Sequence, residues 1–472
     1  MSYQLLPFEF SHFDENFLLV NECGDYSFLA SDEFNLLIHD KIEKLSTRKI
    51  HELESKHFIA HRENINTAIT LSAAKYRSRK AFLRDFTSLH MLVITLKCNH
   101  RCEYCQVSSE EEDAHKFDMS PDVARKAVEY IFKSPSNDIK IEFQGGEPLL
   151  NWPALKAAVF QAEKINSTAN KKLSFVICSN IFALNENHLR FFKEHNIYIS
   201  TSLDGPKNLH DMHRKMRTSA SSHDQFVKKL SQAREFLGHD KVAALMTTTN
   251  DSLSIVEDII DEYVNLKFDG IFFRPLNPYG DAYKNKLYYS PDHFFKMYQK
   301  GLEYIIEINK KGIYFCEYYT ELLMKRILTP FSTGFVDLQS PSGAGISGAI
   351  YDYNGDVYPA DEGRMLARMG NTHFKMGNIF QNTYQEIFHG NLIRNIIHSS
   401  CIEYIPGCSE CSFRTYCGVD VFRNYLETGN ISRSRPDSFF CQKQKKIFNY
   451  LFHKLDDPVF MKIIHSWIAP KS

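Results

Sequence analysis

Residues 98–105, with the sequence CNHRCEYC, constrain this chain most, because three cysteines stand there at the spacing C-x3-C-x2-C. The motif follows Met91–Leu96, an apolar and partly β-branched run that predicts a buried strand. Thiolates are soft ligands, and three of them on a short loop can hold three irons of a [4Fe-4S] cube while the fourth iron stays open. The motif therefore predicts that Cys98, Cys102 and Cys105 are metal ligands.

Two other uses of these cysteines are open at this point. Structural zinc needs four ligands, and His100 inside the loop could supply the fourth. The cysteines could also be unliganded and buried. A disulfide framework is disfavoured, because Met1–Phe10 has no charged segment followed by an apolar one, as a secretory signal would have. Eleven cysteines without such a signal predict a reducing, cytoplasmic location.

The length and the net charge of the chain limit the functions it can have. At 472 residues the chain can form two to four domains. The formal net charge is −1, so no basic field favours nucleic acid or an anionic membrane surface as a partner. No run of about 18 apolar residues occurs, which predicts that no segment spans a membrane.

Residues 1–86 are predicted to form a small α+β domain. Three short strands are expected at Phe8–Phe13, Phe17–Asn21 and Tyr26–Leu29, with turn residues between them. Ser31 is then expected to cap a helix whose apolar side includes Phe34, Leu37, Ile38 and Ile42.

Residues 87–330 show an alternation of strands and helices. A helix is predicted to begin at Ser120-Pro121, another near Pro153, and helical structure is expected throughout 291–329. Small and polar residues follow the strands and do not precede them, as at the catalytic face of a parallel α/β barrel. We therefore predict a partial (β/α)6 TIM-like barrel. Its six strands are expected at Met91–Leu96, Lys140–Gln144, Leu173–Cys178, Ile197–Ser200, Val242–Met246 and Gly270–Phe273.

A second motif follows the second predicted strand as Gly145-Gly146-Glu147-Pro148. Paired glycines let backbone approach a ligand closely, and the glutamate can accept a hydrogen bond from an ammonium group. Alone, this sequence could also be an ordinary turn. The cysteine motif with Tyr104 before its last cysteine, and this glycine turn after the next strand, together resemble the radical SAM superfamily.

That resemblance implies a site for S-adenosyl-L-methionine at the open iron of the cluster. Glu147 would bind the methionyl amine, Ser179 and Asn180 would lie near the ribose, and Ser202 and Arg214 near the carboxylate. After a strand, however, Ser and Asn often cap helices, and Asp204-Gly205-Pro206 is read as a turn. The whole predicted cofactor-binding set is Tyr104, Gln144, Gly145, Gly146, Glu147, Ser179, Asn180, Ser202 and Arg214.

Residues 331–472 carry a third motif, a second set of cysteines at Cys408, Cys411, Cys417 and Cys441. Four thiolates can close completely around a metal cluster or zinc. With the predicted hairpin at Tyr353–Pro359, this region resembles the SPASM domain of peptide-modifying radical SAM enzymes.

This region departs from the full seven-cysteine pattern of that domain. Ala360 and Val421 stand where that pattern has cysteines, and none occurs near 342–345. We therefore predict one auxiliary [4Fe-4S] cluster and not two. Cys401 could replace a ligand, although a lone cysteine is more often a small buried hydrophobe.

The resemblance extends over nearly the whole chain, and the start of the sequence with the reduced cysteine set looks most like the His-Xaa-Ser system radical SAM maturase. It implies hydrogen abstraction from a ribosomally made peptide or protein, followed by oxidation or cross-linking of a side chain. Asp361 would be the catalytic base, unless it is a surface carboxylate. Residues 1–86 would be a winged-helix-like domain that recognises the peptide leader, or a packing extension of the barrel.

Partners implied by the resemblance are the peptide or protein substrate, an electron donor such as flavodoxin or ferredoxin, and a second maturase encoded nearby. Two other functions are weighed against this one. The first is an anaerobic sulfatase maturase that forms formylglycine, which the missing cysteines disfavour. The second is a peptide-binding scaffold with a relic cluster, which the intact motifs disfavour.

Overall fold

The computed structural model describes residues 3–217, 220–432 and 436–469. The N-terminal part contains an antiparallel sheet of three strands, and all three strands were predicted within one residue at each end. A separate pair of short strands joins Tyr3–Leu5 to Ile59–His61. In chain order the elements are β1 Tyr3–Leu5, β2 Phe8–Phe13, β3 Asn16–Asn21, β4 Tyr26–Ala30, α1 Ser31–Ile38, α2 Thr47–Ser55, β5 Ile59–His61 and α3 Ile65–Arg79.

Helix α1 begins where the sequence predicted, but Ala30 is its N-cap and not Ser31. The carboxylate of Glu33 accepts a hydrogen bond from the Ala30 N–H at 3.1 Å, which leaves no need for a hydroxyl cap. Ile42 lies beyond the helix in a single 3-10 turn. The apolar side of α1 packs on the three-stranded sheet and forms a small core there, which contains Leu19, Leu29, Phe34, Leu37, Leu53 and Phe58.

The middle of the chain forms a sheet of five parallel strands that are adjacent in chain order. All five strands lie where the sequence predicted them. These elements are β6 Leu89–Thr95, β7 His100–Cys102, α4 Pro121–Ile131, β8 Asp138–Gly145, α5 Trp152–Ala169, β9 Lys172–Cys178, α6 Glu186–Glu194, β10 Ile197–Ser202, α7 Lys207–His213, β11 Arg214–Met216, α8 Ser222–Leu237 and β12 Val242–Leu245. Strands β7 and β11 form a separate antiparallel pair next to the cysteine motif.

Strands β8 and β10 alternate, so that one face is more apolar and the other more polar, whereas β6 is apolar on both faces. Ile141, Phe143 and Ile177 are fully buried on the helix side. On the opposite side Glu142 accepts hydrogen bonds from Gln144 at 2.6 Å and from the thiol of Cys178 at 3.1 Å. The concave side of the sheet is thus the polar one.

The predicted sixth strand is present only in part. It spans Gly270–Ile271 and pairs in parallel with Cys316–Glu317 instead of with β12. Its link to the barrel is a hydrogen bond of 3.0 Å from the Thr248 N–H to the carbonyl of Arg274. The next residue, Pro275, has no N–H for a regular ladder, which explains why the strand does not continue there.

The predicted helical stretch 291–329 is interrupted by the short strand Cys316–Glu317. Its buried Glu317 accepts hydrogen bonds from the N–H groups of Thr320 at 2.6 Å and Phe273 at 3.0 Å, which ties the sixth strand to the next helix. The elements of this stretch are α9 Val256–Asn265, β13 Gly270–Ile271, α10 Gly280–Lys284, α11 Pro291–Lys310, β14 Cys316–Glu317 and α12 Tyr318–Leu328.

The C-terminal part begins with the predicted hairpin, which extends the central sheet. Strand β15 pairs in parallel with β6, with Gly348 opposite Leu89, and β16 and β17 continue the sheet in antiparallel order. These elements are β15 Gly348–Tyr351, β16 Asp356–Tyr358, α13 Asp361–Arg368, β17 Gly377–Asn378, α14 Tyr384–Phe388, α15 Asn391–Ser400, α16 Val421–Thr428, α17 Phe439–His453 and α18 Pro458–Ile468. Among the helices of the described segments, none has the length and apolar character needed to cross a membrane.

Candidate active site and C-terminal cysteine site

The first cysteine loop lies at the carboxyl end of β6 and is held from several sides. The Cys98 thiol accepts a hydrogen bond from the His100 N–H at 3.4 Å, and the Cys105 thiol accepts one from the Ser109 N–H at 3.5 Å. Burial raises the pKa of the Cys98 thiol, and the nearby Cys102 raises it further. Burial also raises the pKa of Cys102 to about 12. The three thiols therefore lie close enough to interact electrostatically, and their role as metal ligands stays a prediction.

His100 shows no sign of completing a zinc site. Its ring is buried, and both ring nitrogens lack hydrogen-bond partners. Burial lowers its pKa to about 4, so the ring is neutral at pH 7. Within residues 3–217, 220–432 and 436–469, no three His, Cys, Asp or Glu side chains converge on one ion position. In a [4Fe-4S] cluster each cysteine binds a different iron, so three thiols are enough for a cluster, whereas structural zinc needs four ligands.

The glycine turn lies against the end of β6, and the reason for its glycines is the neighbouring strand. Gly145 has φ +136°, and a Cβ there would lie 1.9 Å from the carbonyl oxygen of Thr95. A Cβ on Gly146 would lie 2.2 Å from the carbonyl oxygen of Lys97. Both glycines therefore let the turn approach the backbone at the end of β6 closely.

Glu147 joins the ends of two strands. Its buried carboxylate accepts hydrogen bonds from the Ser179 hydroxyl at 2.8 Å, the Asn180 N–H at 2.8 Å and the Leu149 N–H at 3.1 Å. Burial raises its pKa to about 7 despite these donors. The Asn180 side chain in turn donates to Asn99 in the cysteine loop at 2.7 Å. Three predicted site residues and the cysteine loop thus form one network.

Tyr104, Asp204 and Arg214 form a second, largely buried network. The Tyr104 hydroxyl donates to Asp204 at 2.5 Å, and the Nε of Arg214 donates to the same carboxylate at 3.1 Å. Burial alone would raise the pKa of Asp204, but Arg214 holds it below its ordinary value. Sequence reasoning missed Asp204, because Asp-Gly-Pro after a strand is indistinguishable from an ordinary turn.

Two predicted residues lie outside these networks. Ser202 ends β10 and is half-buried, and no described site residue is its hydrogen-bond partner. Gln144 donates to Glu142 on the concave side of the sheet. Their predicted role in cofactor binding stays a prediction.

The four C-terminal cysteines line one recess of about 350 Å³, open solvent included. Burial raises the pKa of the Cys417 thiol, and the other three thiols raise it further. Cys401 does not line this recess, and its thiol donates to the carbonyl of Ile397 at 3.3 Å. The site therefore unites Cys408, Cys411, Cys417 and Cys441, as predicted.

The positions without the expected cysteines are filled by apolar packing. Ala344, Ala360 and Val421 belong to one buried cluster together with Tyr279 and Phe422. Apolar side chains thus occupy the positions at which the seven-cysteine pattern has further ligands. That the region holds one auxiliary cluster and not two stays a prediction.

Asp361 begins helix α13, which lies beside the first cysteine loop. Its carboxylate accepts a hydrogen bond of 3.0 Å from the Nε of Arg364, whose side chain is fully buried. At the other end of the helix Arg368 forms an ion pair with Glu110 of the cysteine loop. Asp361 is therefore near the predicted active site, but it is tied to an arginine.

Comparisons with known proteins agree with this geometry. The family model described as the radical SAM superfamily matches residues 92–273. A cysteine-type anaerobic sulfatase-maturating enzyme of Clostridium novyi (strain NT) is 25% identical over 390 residues, which are 78% of this chain and 96% of that protein. The radical SAM cyclopropyl synthase TigE of Paramaledivibacter caminithermalis is 24% identical over 278 residues, or 55% of this chain and 54% of that protein.

Two solved structures share the fold. Native anSMEcpe with bound AdoMet aligns with a TM-score of 0.65 and 20% identity, over 79% of this chain and 100% of that one. Streptococcus suis SuiB bound to its precursor peptide SuiA aligns with a TM-score of 0.55 and 13% identity, over 93% of this chain and 99% of that one.

The parallel sheet, the cysteine loop at its carboxyl edge and the match over 92–273 define a radical SAM domain. This chain combines that domain with a cysteine-rich C-terminal region of the SPASM kind. Its cofactors are S-adenosyl-L-methionine and [4Fe-4S] clusters, one of them auxiliary.

Proposed function

We propose that this enzyme modifies a ribosomally synthesised peptide or protein, by hydrogen abstraction and then oxidation or cross-linking of a side chain. The observation that carries this proposal is the presence of two cysteine sites in one molecule, the first at the mouth of the barrel and the second closed by four thiols. The likeness to SuiB, which spans 93% of this chain and includes the N-terminal part, supports a peptide as substrate.

Formation of formylglycine is the second candidate. The relative from Clostridium novyi matches over 78% of this chain and favours that function. The apolar packing around Ala360 and Val421, in place of cysteines, favours the first candidate. The narrower assignment to the His-Xaa-Ser system, and with it a second maturase, is part of the first candidate.

In this proposal Cys98, Cys102 and Cys105 hold the cluster that binds S-adenosyl-L-methionine. Together, the cluster and S-adenosyl-L-methionine would supply a 5'-deoxyadenosyl radical. Glu147 would then receive the methionyl amine, since its carboxylate lies buried beside the cysteine loop. An ammonium group beside Glu147 would favour its ionised form, although burial raises its pKa to about 7. Ser179 and Asn180 hold this carboxylate in place.

The C-terminal cysteines Cys408, Cys411, Cys417 and Cys441 would hold the auxiliary cluster, a one-electron redox centre without an open iron. Asp361 would accept a proton from the substrate, with Arg364 fixing its orientation. Flavodoxin or ferredoxin would supply the electron that starts the reaction. These roles belong to the proposal and rest on the positions of the side chains.

The test compares two substrates under anaerobic conditions with S-adenosyl-L-methionine and reductant. One is the peptide encoded beside this gene, and the other is a sulfatase-derived peptide with the cysteine or serine that is oxidised. We expect 5'-deoxyadenosine and a mass change in the first peptide only. A formylglycine product from the second would establish the alternative, and no 5'-deoxyadenosine with either peptide would support a scaffold. The Cys98→Ala, Cys102→Ala, Cys105→Ala triple variant is the control.

A further inference from the structure

Two buried arginines lie next to the C-terminal cysteine site without a carboxylate partner. Arg79 ends helix α3, Arg326 lies in helix α12, and each side chain is 8% exposed. Neither forms an ion pair with any residue that the structure describes, although both are charged at pH 7. A buried charge without a partner is costly, by several kcal/mol. A compensating negative charge is therefore expected nearby.

The contacts of the two arginines lead to the backbone just before Cys417. Arg326 donates to the carbonyl of Tyr416 at 2.8 Å and to that of Thr415 at 3.1 Å. Arg79 donates to the carbonyl of Arg326 at 2.9 Å and lies 5.6 Å from the centre of the Tyr416 ring. Gly24 makes room for Arg79, since a Cβ there would lie 2.2 Å from the guanidinium.

Carbonyl oxygens satisfy the hydrogen bonds of these arginines but not their charge. The two guanidinium groups repel one another, and burial lowers the pKa of Arg326 to about 10, with Arg79 lowering it further. Cys417 lines one cavity together with both arginines, and as a thiolate it would raise the pKa of Arg326. Four thiolates and the sulfides of a [4Fe-4S] cluster have a net negative charge, so a cluster in this recess would supply the missing counter-charge.

Other cations near the recess differ because acidic groups already face them. Arg414 pairs with Glu9 at 3.0 Å and also with Glu22. Lys443 interacts with Asp337 and Asp420. Arg79 and Arg326 differ in being buried without an ion pair among the described residues, although Asp25 attracts Arg79 from a longer distance; Lys445, which also lines the recess, is exposed.

We propose that Arg79 and Arg326 are positioning residues that act as counter-charges of the auxiliary cluster and raise its reduction potential. A more negative cluster is stabilised by fixed positive charge, which makes the oxidised cluster a better electron acceptor. Since Arg79 comes from the N-terminal part, that part helps to set the redox property of the C-terminal site. The inference rests on the auxiliary cluster of the proposed function.

The test measures the potential of the auxiliary cluster alone, in the full chain with Cys98, Cys102 and Cys105 changed to Ala. In this background we compare Arg326→Gln and Arg79→Gln with Arg326→Lys and Arg79→Lys by EPR-monitored redox titration. We expect more negative midpoint potentials in the Gln variants, and values near the parent in the Lys variants, which keep the charge. Arg125→Gln is the matched control, because Arg125 is an exposed residue of helix α4, and this variant should not change the midpoint potential.

The iron content separates this proposal from its alternatives. Unchanged potentials in Gln variants that keep their iron would overturn it. If a Gln variant loses iron while its Lys counterpart retains it, the charge is required and the proposal stands. If both lose iron, the arginines serve packing alone and the proposal fails. A parent background without any iron would instead refute the auxiliary cluster itself.

Discussion

At the scale of single residues, Asp204 is a buried carboxylate that holds two neighbouring side chains in place. Its carboxylate receives both the Tyr104 hydroxyl and Arg214. Asp204→Asn removes the charge that balances a buried guanidinium, so we expect a loss of about 3–5 kcal/mol in the free energy of unfolding. Chemical denaturation of the metal-free protein would measure it. Asp224→Asn removes a carboxylate from an exposed pair with Lys207 and should have little effect.

The raised pKa of Glu147 predicts how the stability of the protein depends on pH. Burial raises its pKa in the folded protein to about 7, above an ordinary value of 4.5. The folded state therefore binds a proton more tightly than the unfolded state between these values, and the stability from this group is lost as pH rises through about 7. We expect the metal-free protein to lose stability from pH 5 to pH 7.5. Glu147→Gln should flatten that dependence in thermal unfolding, and an equally steep curve would assign it to another group.

Asp361 is tested by a variant that keeps its shape. If it accepts a proton from the substrate, Asp361→Asn should keep iron content and 5'-deoxyadenosine formation but lose the modified peptide. Mass spectrometry of the peptide measures the outcome. Modification at the wild-type rate would show that Asp361 serves only to hold Arg364, with which it forms its hydrogen bond.

Which residues the sequence could identify depended on their spacing along the chain. The cysteines and the turn at Gly145–Glu147 stand in short motifs, and the structure brings each set together. The pairing of Tyr104 with Asp204 joins positions a hundred residues apart, and neither residue type signals the other. The burial of Arg79 and Arg326 without an ion pair could not be predicted either. Arginine is usually exposed, and tertiary packing decides where it is buried.

At the scale of elements, the turn after β8 lies so close to the end of β6 that it requires glycine. In Gly146→Ala the added methyl group would meet the carbonyls of Lys97 and Leu96, at 2.2 and 2.6 Å, and neither can move without shifting the cysteine loop. We expect reduced iron in the first cluster and a lower melting temperature. Gly348→Ala in β15 is the control, because its methyl group would find ordinary contacts of 3.6–3.7 Å. Equal iron in both variants would contradict this explanation.

Elements with a regular pattern were predicted well, and irregular ones were not. Among the five parallel strands, β8 and β10 alternate apolar with polar residues and β6 carries a continuous apolar run, and both patterns are typical of strands. Gly270–Phe273 shows the same pattern, yet only two of its residues pair, and their partner is Cys316–Glu317. Pairing partners far apart in sequence cannot be read from a local pattern.

At the scale of the whole molecule, two cysteine sites predict about eight irons per chain, four in each cluster. The Cys98→Ala, Cys102→Ala, Cys105→Ala variant should keep about half of the iron and lose all cleavage of S-adenosyl-L-methionine. Iron analysis after anaerobic reconstitution measures this. Twelve irons in the wild type would show a second auxiliary cluster, despite the apolar packing at Ala360 and Val421.

The pairing of β15 with β6 has a consequence for synthesis of the chain. Strand β6 stands at the edge of the parallel sheet until Gly348–Tyr351 arrives, after most of the barrel has left the ribosome. An unpaired strand edge is a template for association with other chains. Truncated chains that end near residue 340 should therefore aggregate during expression. The complete chain should depend on chaperones until its last third has been translated.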